Sequence, residues 1–357
     1  MPWEKPVRGD TPETINQVGE ILRNGTAPIK ELMTGLDTLN HWRAVHSYPM
    51  HVFKIRLKRT AEAVNRSALT VQRLKRVPAI IHKLGRDYPS RPQKIKLYEM
   101  QDIAGCRAVL PNVQLARKLA EKYYIKGDLK HKRVRINDYI LNPKTSGYRS
   151  YHIIYEYLSD KENKKGYNGL LVEIQIRSKL QHLWATAIET VDFFTRQAIK
   201  TSEGDKEWTD FFKLVSSAFA IMEGCKPVRN TPTNKKELYG EIKEREKELS
   251  VMEKMETWAT LIDTIPNIKQ NADTKFYLLE LDIVGEKLVV TGYSNGEGEK
   301  AIREYADAEK KYEGKKQYDV VLVGADNISD LKKGYPNYFV DTKEFLKNLQ
   351  KVIEKAD

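Results

Sequence analysis

The sequence predicts an α+β protein, with a mixed β-sheet flanked by helices and a second, small α+β unit at the C-terminus. Two observations support this prediction. Apolar strand-like runs at 103–110, 151–158 and 170–177 are separated by helical patterns and polar loops. From Phe276 onward, short strand-like runs surround single helices instead. We therefore expect three segments, which are a main domain over 1–230, a helical connector over 231–270 and a C-terminal domain over 271–357.

The first part of the main domain is predicted to be helical. Apolar residues in 54–68 recur at three- and four-residue steps, and the helices should continue to about residue 67. Pro78 suits the first turn of the next helix, which Gly85 can end. After the strand at 103–110, Asn112 is the expected N-cap of a helix over 113–124. The segment that follows is basic and is predicted to be a loop.

The strand at 170–177 carries the clearest alternation. Its aliphatic residues occupy every second position, so Glu173, Gln175 and Arg177 should share the opposite face of the sheet. Helical patterns follow at 180–194 and 208–219, and a long charged helix is predicted over 235–265.

The C-terminal domain is expected to be a hairpin, a helix, a strand and a final helix. The predicted strands are 276–284, 287–293 and 318–323, and the first helix is 298–312. The last helix should start at a cap formed by Asp341 or Thr342 and end near Ala356.

Charge and cysteine content restrict the class of function. Lys and Arg number 61 against 49 Asp and Glu, a net charge of +12, which favours a polyanionic partner such as a nucleotide or nucleic acid. A solvated basic surface is the alternative reading. No apolar run is long enough to cross a bilayer, and the N-terminus has no secretory apolar segment, so we expect a cytoplasmic protein without a membrane partner. The two cysteines have no metal-site spacing.

Two segments with charged residues come early in the predicted site, one of them basic and the other beginning with an aspartate. Arg73, Lys75 and Lys83 lie ahead of or on a helix, where cations and free N–H groups can hold an anion. Asp102 starts a buried strand that also carries Arg107, which can bring a metal ligand and a phosphate contact together. A solvated basic face and a turn aspartate are the structural alternatives.

Two further segments complete the candidate site. The loop 138–152 contains Lys144, Tyr148, Arg149 and His152, and the Tyr148 ring offers a face on which a base can stack. The strand residue Glu173 can hold Mg²⁺ or accept a hydroxyl proton. A surface tyrosine and an exposed strand glutamate are the alternatives.

In order and type, these four segments resemble the RelA/SpoT synthetase domain, over about 45–200. The resemblance implies a nucleotidyltransferase-like fold and transfer of the β,γ-pyrophosphate of ATP to a ribose 3′-hydroxyl, with Mg²⁺. It implies that Asp102 and Glu173 bind the metal and that Glu173 activates the hydroxyl. The implied ATP-binding residues are Arg73, Lys75, Lys83 and Arg107, of which Arg107 is also catalytic. The implied acceptor-binding residues are Tyr148, Lys144, Arg149, His152 and Gln175.

The C-terminal domain resembles the fused antitoxin-like domain of CapRel proteins, through Tyr335-Pro336-Asn337-Tyr338-Phe339 and the surrounding pattern. That resemblance implies a zinc-finger-like fold, metal-free here because no cysteine follows Cys225. It also implies modification of the tRNA acceptor end, autoinhibition by the C-terminal domain, and release by a phage major capsid protein. Tyr335 and Tyr338 are the candidate aromatic plug of the nucleotide site, and a structural Tyr-Pro turn is the alternative. Two other functions stay open, which are synthesis of (p)ppGpp or (p)ppApp from free nucleotides and binding without catalysis. The sequence does not indicate an oligomeric state.

Overall fold

The structure is a computed structural model. It describes the residues of the following ranges: 3–75, 77–87, 93–195, 205–256, 274–282, 285, 287–312, 315, 318–324 and 336–356. The chain divides into two compact units. The first unit comprises 1–142 and 149–179, and the second comprises 143–148 and 180–357. The domain limits expected near 230 and 270 stay a prediction.

The first unit contains an N-terminal group of helices and a five-stranded sheet. Its helices are α1 (Pro12–Asn24), α2 (Ile29–Val45), α3 (Ser47–Val64), α4 (Val77–Gly85) and α5 (Val113–Ala120). Its strands are β1 (Leu69–Leu74), β2 (Ala104–Leu110), β3 (Lys132–Asp138), β4 (Tyr151–Glu156) and β5 (Leu171–Ser178). The strand order is β1-β2-β5-β4-β3, and only β2 and β5 are parallel, so the sheet is mixed as predicted.

Helices α3 and α5 of this unit pack on one face of the sheet. Val172, Ile174 and Ile176 of β5 are fully buried on that face. The Cys106 thiol of β2 donates to the carbonyl of Met50 in α3 at 3.3 Å, which shows how closely α3 lies against the sheet. Since side chains alternate along a strand, Glu173 and Gln175 lie on the opposite face, as the alternation predicted.

Two elements of this unit differ from the sequence prediction. Residues 69–74 form strand β1, which the sequence analysis did not anticipate, and helix α3 ends earlier, at Val64. The basic segment predicted to be a loop contains β3, the edge strand of the sheet. Both strands lie at sheet edges, where one flank faces no other strand and the apolar alternation that marks a strand is weak. The cap of α5 is confirmed, because Asn112 accepts the N–H of Leu115 at 3.0 Å.

Helices α6 (Lys179–Thr195), α7 (Lys206–Met222) and α8 (Lys235–Leu249) form the first part of the second unit. The Trp184 indole of α6 donates to the carbonyl of Phe212 in α7 at 2.7 Å. The helix predicted over 235–265 is interrupted in the structure. Helix α8 ends at Leu249, where Ser250 adopts a left-handed backbone conformation with φ 50°. Helical backbone resumes over 251–256, and 257–265 lie outside the described residues.

The C-terminal part of the second unit is a three-stranded antiparallel sheet with a helix on it. Its elements are β6 (Thr274–Asp282), β7 (Lys287–Ser294), α9 (Gly298–Tyr312) and β8 (Tyr318–Gly324), in the sheet order β7-β6-β8. These four elements confirm the sequence prediction. Their shared core is made of Leu278, Tyr293, Ala301, Ala308 and Val320.

The last helix, α10 (Pro336–Ile353), begins before the position that the sequence analysis predicted. Asp341 and Thr342, the expected caps, are buried inside the helix rather than at its start. The proline at the first position explains the earlier start, because its missing N–H has no helical partner there. Within the described ranges, no helix is long and apolar enough to span a bilayer.

Candidate active site

The polar face of the five-stranded sheet gathers most of the residues that the sequence analysis selected. In the register of the strands, Arg73 lies opposite Gly105, Gly105 opposite Glu173, and Arg107 opposite Gln175. His152 of β4 lies opposite Gln175 on its other side. Because paired residues point to the same side of a sheet, the two central strands and β4 present these groups together.

Asp102, just before β2, is held by two ammonium groups. Lys75 Nζ lies 3.0 Å from Oδ2 and Lys83 Nζ lies 2.8 Å from Oδ1. Lys75 is fixed by its own backbone, since its N–H donates to the carbonyl of Ile103 at 2.8 Å. The three side chains are largely buried, with exposed fractions of 17% to 26%.

These contacts set the ionisation of the cluster. Burial opposes the charged form of Asp102, yet the nearby charges of Lys83 and Lys75 lower the pKa of its carboxyl below the ordinary value. Burial lowers the pKa of the Lys75 ammonium, and Asp102 partly offsets that effect. We therefore expect an ionised Asp102 at neutral pH, with two cations available to a phosphate that displaces it.

Glu173 of β5 is held at both of its carboxylate oxygens. His152 Nδ1 lies 2.7 Å from Oε1, and Gln175 Nε2 donates to Oε2 at 2.6 Å. Burial opposes ionisation of Glu173, but the charge and hydrogen bond of His152 bring the pKa of the carboxyl well below its usual range. Glu173 is therefore an oriented, ionised carboxylate.

Gln175 links Glu173 to two arginines. Its Oε1 accepts the Nε–H of Arg107 at 3.1 Å and an Nη2–H of Arg177 at 2.7 Å. Arg107 is 9% exposed and Arg177 is 1% exposed. The sequence analysis placed Arg177 on this face but gave it no role.

Arg43 of α2 is a site residue that the sequence analysis missed. Its Nε donates to the carbonyl of Lys75 at 2.8 Å, so it supports the residue that pairs with Asp102. Arg43 precedes Lys75 by 32 positions in the sequence, and no pattern links the two. Arg73, which the resemblance assigned to ATP, is exposed on β1.

Part of the predicted acceptor loop lies in the first unit. Asp138 accepts the N–H groups of Ile140 and Leu141, both at 2.9 Å, and closes a local turn. The buried Arg149 donates from Nη1 to the carbonyl of Ile140 at 2.9 Å. In this structure Arg149 therefore shapes the turn, and its assignment to acceptor binding stays a prediction.

Lys144 and Tyr148 belong to the second unit, with the rest of 143–148. Tyr148 is only 4% exposed, and its ring centroid lies 6.4 Å from that of Trp184 in the same unit. Lys144 Nζ lies 5.1 Å from the Tyr148 ring centroid. Stacking of a base on Tyr148, the role that the resemblance implies, would require this ring to become accessible.

The structure does not describe the side chains of the two tyrosines that are candidates for autoinhibition. Tyr335 lies outside the described residues. Tyr338 falls in α10, but its side chain is also outside the description. Their role stays a prediction.

The carboxylates fit the magnesium that the resemblance implies. The pKa values of both carboxyls, Asp102 and Glu173, are lowered by neighbouring cations, and Glu173 is among the charges that act on Asp102. In kinase, ATPase and polymerase sites, Mg²⁺ is bound by one or two carboxylates together with substrate phosphates and water. No group of three His, Cys, Asp or Glu side chains suited to a metal occurs in the part of the chain that the structure describes. Among the described residues, Asp102 and Glu173 would therefore hold the metal, and substrate phosphate would complete the coordination.

Comparisons with known proteins locate a family match on this sheet. Residues 72–192 match the family model described as a region found in RelA / SpoT proteins, and this range includes Lys75, Lys83, Asp102, His152 and Glu173. The GTP pyrophosphokinase YjbM of Bacillus subtilis (strain 168) is 35% identical over 124 residues, which are 34% of this chain and 54% of YjbM. The GTP pyrophosphokinase YwaC of the same organism is 32% identical over 117 residues, 33% of this chain and 54% of YwaC. The chain thus spans about half the length of the curated relatives it matches.

Among solved structures, small alarmone synthetase 1 from Bacillus subtilis bound to its product pppGpp aligns with a TM-score of 0.44 at 22% identity. The alignment covers 53% of this chain and 94% of that one. Small alarmone synthetase 2 from the same organism aligns with a TM-score of 0.41 at 21% identity, over 52% of this chain and 94% of that one.

Proposed function

We propose that this protein is a pyrophosphokinase that transfers the β,γ-pyrophosphate of ATP to a ribose 3′-hydroxyl and releases AMP. The observation that supports this proposal best is a pair of neighbouring carboxylates, Asp102 just before β2 and Glu173 of β5, whose surrounding cations favour their charged forms. The family match over 72–192 covers this face. Both named relatives are GTP pyrophosphokinases by name.

The cationic residues of the site would bind ATP, and its carboxylates would bind the metal. Lys75, Lys83, Arg73 and Arg107 bind and orient the triphosphate, whose charge they offset. Asp102 and Glu173 would hold Mg²⁺, which supplies further charge neutralisation at the phosphates when bound. When the phosphates of ATP bind Lys75 and Lys83, they replace Asp102 as the partner of both ammonium groups. The lysines therefore exchange one set of ion pairs for another. Positioning and electrostatics supply most of the rate in phosphoryl-type transfers.

Glu173 orients the attacking hydroxyl and accepts its proton. Its lowered pKa makes it a weak base, so orientation is its larger contribution. Its two held oxygens suit that task, because a fixed carboxylate keeps one hydroxyl geometry. His152 and Gln175 thereby act on the acceptor side through Glu173 as well as in the direct role that the resemblance implies. Lys144, Tyr148 and Arg149 stay assigned to the acceptor through the resemblance alone.

For the acceptor we propose the 3′-hydroxyl at the tRNA acceptor end, which would block translation. The supporting observation is β3, an edge strand on which Lys132, Arg133 and Arg135 are exposed. Such cations suit a phosphate backbone. Some are already engaged, since Lys132 pairs with Glu156 at 3.0 Å.

Synthesis of (p)ppGpp or (p)ppApp from free nucleotides is the second candidate. The names of the relatives YjbM and YwaC favour it, because each is called a GTP pyrophosphokinase. Both candidates use the same ATP and Mg²⁺ chemistry. They differ in the acceptor and in whether β3 is needed.

We also propose that the C-terminal part restrains the enzyme until a phage major capsid protein binds, as the resemblance to CapRel proteins implies. Tyr335 and Tyr338 would then act as the restraint. Replacement of both by Ala should raise transfer by the full chain. A folded double variant with unchanged activity would count against this restraint, and a capsid protein that leaves wild-type activity unchanged would count against the trigger.

The test of the activity uses the full chain and its Tyr335→Ala/Tyr338→Ala variant with γ-³²P-ATP and Mg²⁺. Separate reactions offer tRNA, GDP, GTP and AMP. Glu173→Gln should abolish labelling, whereas Glu162→Gln, at an exposed carboxylate, should not. Label on tRNA that Arg135→Ala weakens would support the tRNA acceptor, and label on a free nucleotide would support the second candidate. Folded protein that labels none of the four would refute the proposed activity.

A further inference from the structure

We infer that Arg177 is a positioning residue for the transfer reaction and acts on Glu173 through the side-chain amide of Gln175. The inference rests on the proposed function. Three contacts carry it, namely Arg177 Nη2 to Gln175 Oε1 at 2.7 Å, Arg107 Nε to the same oxygen at 3.1 Å, and Gln175 Nε2 to Glu173 Oε2 at 2.6 Å.

The chemistry of the neighbours fixes the orientation of the Gln175 amide. Guanidinium groups can only donate hydrogen bonds, and an ionised carboxylate can only accept them. The amide oxygen must therefore face Arg177 and Arg107, and the amide NH₂ must face Glu173. A flipped amide would place its NH₂ against two guanidinium groups and its oxygen against a carboxylate. Gln175 thus has one favourable orientation as long as the arginines are present.

This orientation links the arginine charges to the carboxylate. A guanidinium that bonds the amide oxygen polarises the amide and strengthens its N–H as a donor. Glu173 then has a polarised donor at Oε2 and His152 at Oε1, so that both oxygens are fixed. A carboxylate held in this way presents one geometry to a hydroxyl.

Arg177 differs from Arg107 in where it can act. Its side chain is 1% exposed, and its backbone lies in the centre of the sheet, opposite Val109 of β2. A guanidinium with so little exposed surface is poorly placed to contact a bound nucleotide. Its hydrogen bond to Gln175 gives it a route to Glu173. A purely structural role for Arg177 is the rival explanation, and the test must separate the two.

Gln175→Glu separates positioning from folding. The new carboxylate keeps the size of the side chain and offers acceptors to both arginines, whose charges favour its ionised form and offset the added charge. It therefore turns an oxygen, in place of an N–H, toward Glu173. We expect thermal unfolding close to that of the wild type, an unchanged KM for ATP and a kcat lower by about 10- to 100-fold, the loss typical of residues that support a catalytic ligand. Arg177→Lys, which keeps the charge but loses the guanidinium geometry, should give a smaller fall in kcat. Wild-type kcat in a folded Gln175→Glu variant would overturn the inference.

A second readout does not depend on activity. The side-chain NH₂ resonances of Gln175, assigned by their loss in Gln175→Glu, should shift in Arg177→Lys and in Glu173→Gln. Resonances that stay unchanged in both variants would overturn the inference. If these shifts occur while the wild-type chain labels none of the four acceptors, the linkage holds and the proposed function fails. If Arg177→Lys does not fold, the kcat of Gln175→Glu and the shift of the Gln175 NH₂ resonances in Glu173→Gln test the inference instead.

Discussion

His152 Nδ1 lies 2.7 Å from Oε1 of Glu173, and this contact joins the two strands that carry the acceptor side of the proposed site. The imidazole is itself oriented by the edge of the Tyr139 ring, with ring centroids 5.3 Å apart. A carboxylate that is buried and still ionised needs such a partner, because burial alone would favour its neutral form. The pair therefore decides both the charge and the direction of Glu173.

Replacement of His152 by Phe should lower transfer and change its dependence on pH. The ring contact with Tyr139 can persist, but Glu173 loses the charge that lowers the pKa of its carboxyl. That pKa rises, so protonation of Glu173, and the loss of activity it causes, begins at higher pH. We expect kcat to fall by about 10- to 100-fold at pH 7.5 and the acid limb of the kcat profile to move to higher pH.

His152→Gln provides the matched control for that change. Glutamine can donate to Glu173 but carries no charge, so its activity should lie between those of the wild type and His152→Phe. Steady-state labelling from pH 5 to pH 9 measures both quantities. An acid limb that His152→Phe leaves in place would show that the imidazole does not control Glu173.

Asp102→Asn should remove transfer and alter ATP binding. The neutral amide keeps the shape but loses the charge that Lys75 and Lys83 now balance, and it is a poor ligand for Mg²⁺. We expect transfer to fall by at least about 100-fold, since charge stabilisation is usually the largest catalytic contribution. Asp37→Asn, at an exposed position of α2, is the control and should behave as wild type. A fully active Asp102→Asn variant would contradict the metal assignment.

The sequence predicts the local features of this site but not the contacts between residues that are distant in the chain. The alternation along β5 placed Glu173, Gln175 and Arg177 on one face, because a period of two is a local property. The pairing of Asp102 with Lys75 was not predictable, because only the antiparallel pairing of β1 with β2 brings the end of one strand to the start of the other. The contact of Asp102 with Lys83 depends on the position of α4. Strand β1 itself was missed, because an edge strand with exposed Gln72 and Arg73 lacks a strong apolar pattern.

Long-range and terminal features were the least predictable. Arg43 supports Lys75 across 32 positions, a contact that only the packing of α2 creates. The start of α10 was misplaced because Asp341 and Thr342 look like caps in the sequence, whereas both are buried in the helix. Asp and Thr occur both as helix caps and as buried, hydrogen-bonded residues inside helices. The local sequence therefore does not show which of the two positions they occupy.

His46 should make the first unit less stable in acid. Burial lowers the pKa of its imidazole from 6.5 to about 4, and its Nδ1 bonds the carbonyl of Trp42 at 2.7 Å. Between these two pH values the unfolded chain binds a proton that the folded chain does not, so the free energy of unfolding falls as pH decreases. The full effect is about 3 kcal/mol. Urea unfolding at pH 7 and pH 4 should show a smaller difference for His46→Gln, and an unchanged difference would contradict the assignment.

Gly147→Ala should destabilise the second unit more than Gly224→Ala. Both glycines have positive φ, 94° and 70°, so either alanine costs about 1–2 kcal/mol. Only at Gly147 would the new methyl group collide, because it would lie 2.7 Å from Cβ of Ser216. That overlap adds about 1–3 kcal/mol. Chemical unfolding followed by tryptophan fluorescence measures the difference, and equal effects at the two positions would refute the close packing of Gly147.

Phe345→Ala should detach α10 from the helices that it covers within the second unit. The Phe345 ring is fully buried, with centroids 6.0 Å from Phe212 and 5.8 Å from Phe219 of α7. Truncation of a buried Phe to Ala costs about 3–5 kcal/mol. Lys351→Ala, at an exposed position of the same helix, is the control and should leave stability within about 0.5 kcal/mol. Thermal unfolding and amide exchange of α10 measure both variants. Rapid exchange of α10 in Phe345→Ala alone would show that the aromatic contact holds the helix, whereas wild-type exchange in both variants would show that other contacts suffice.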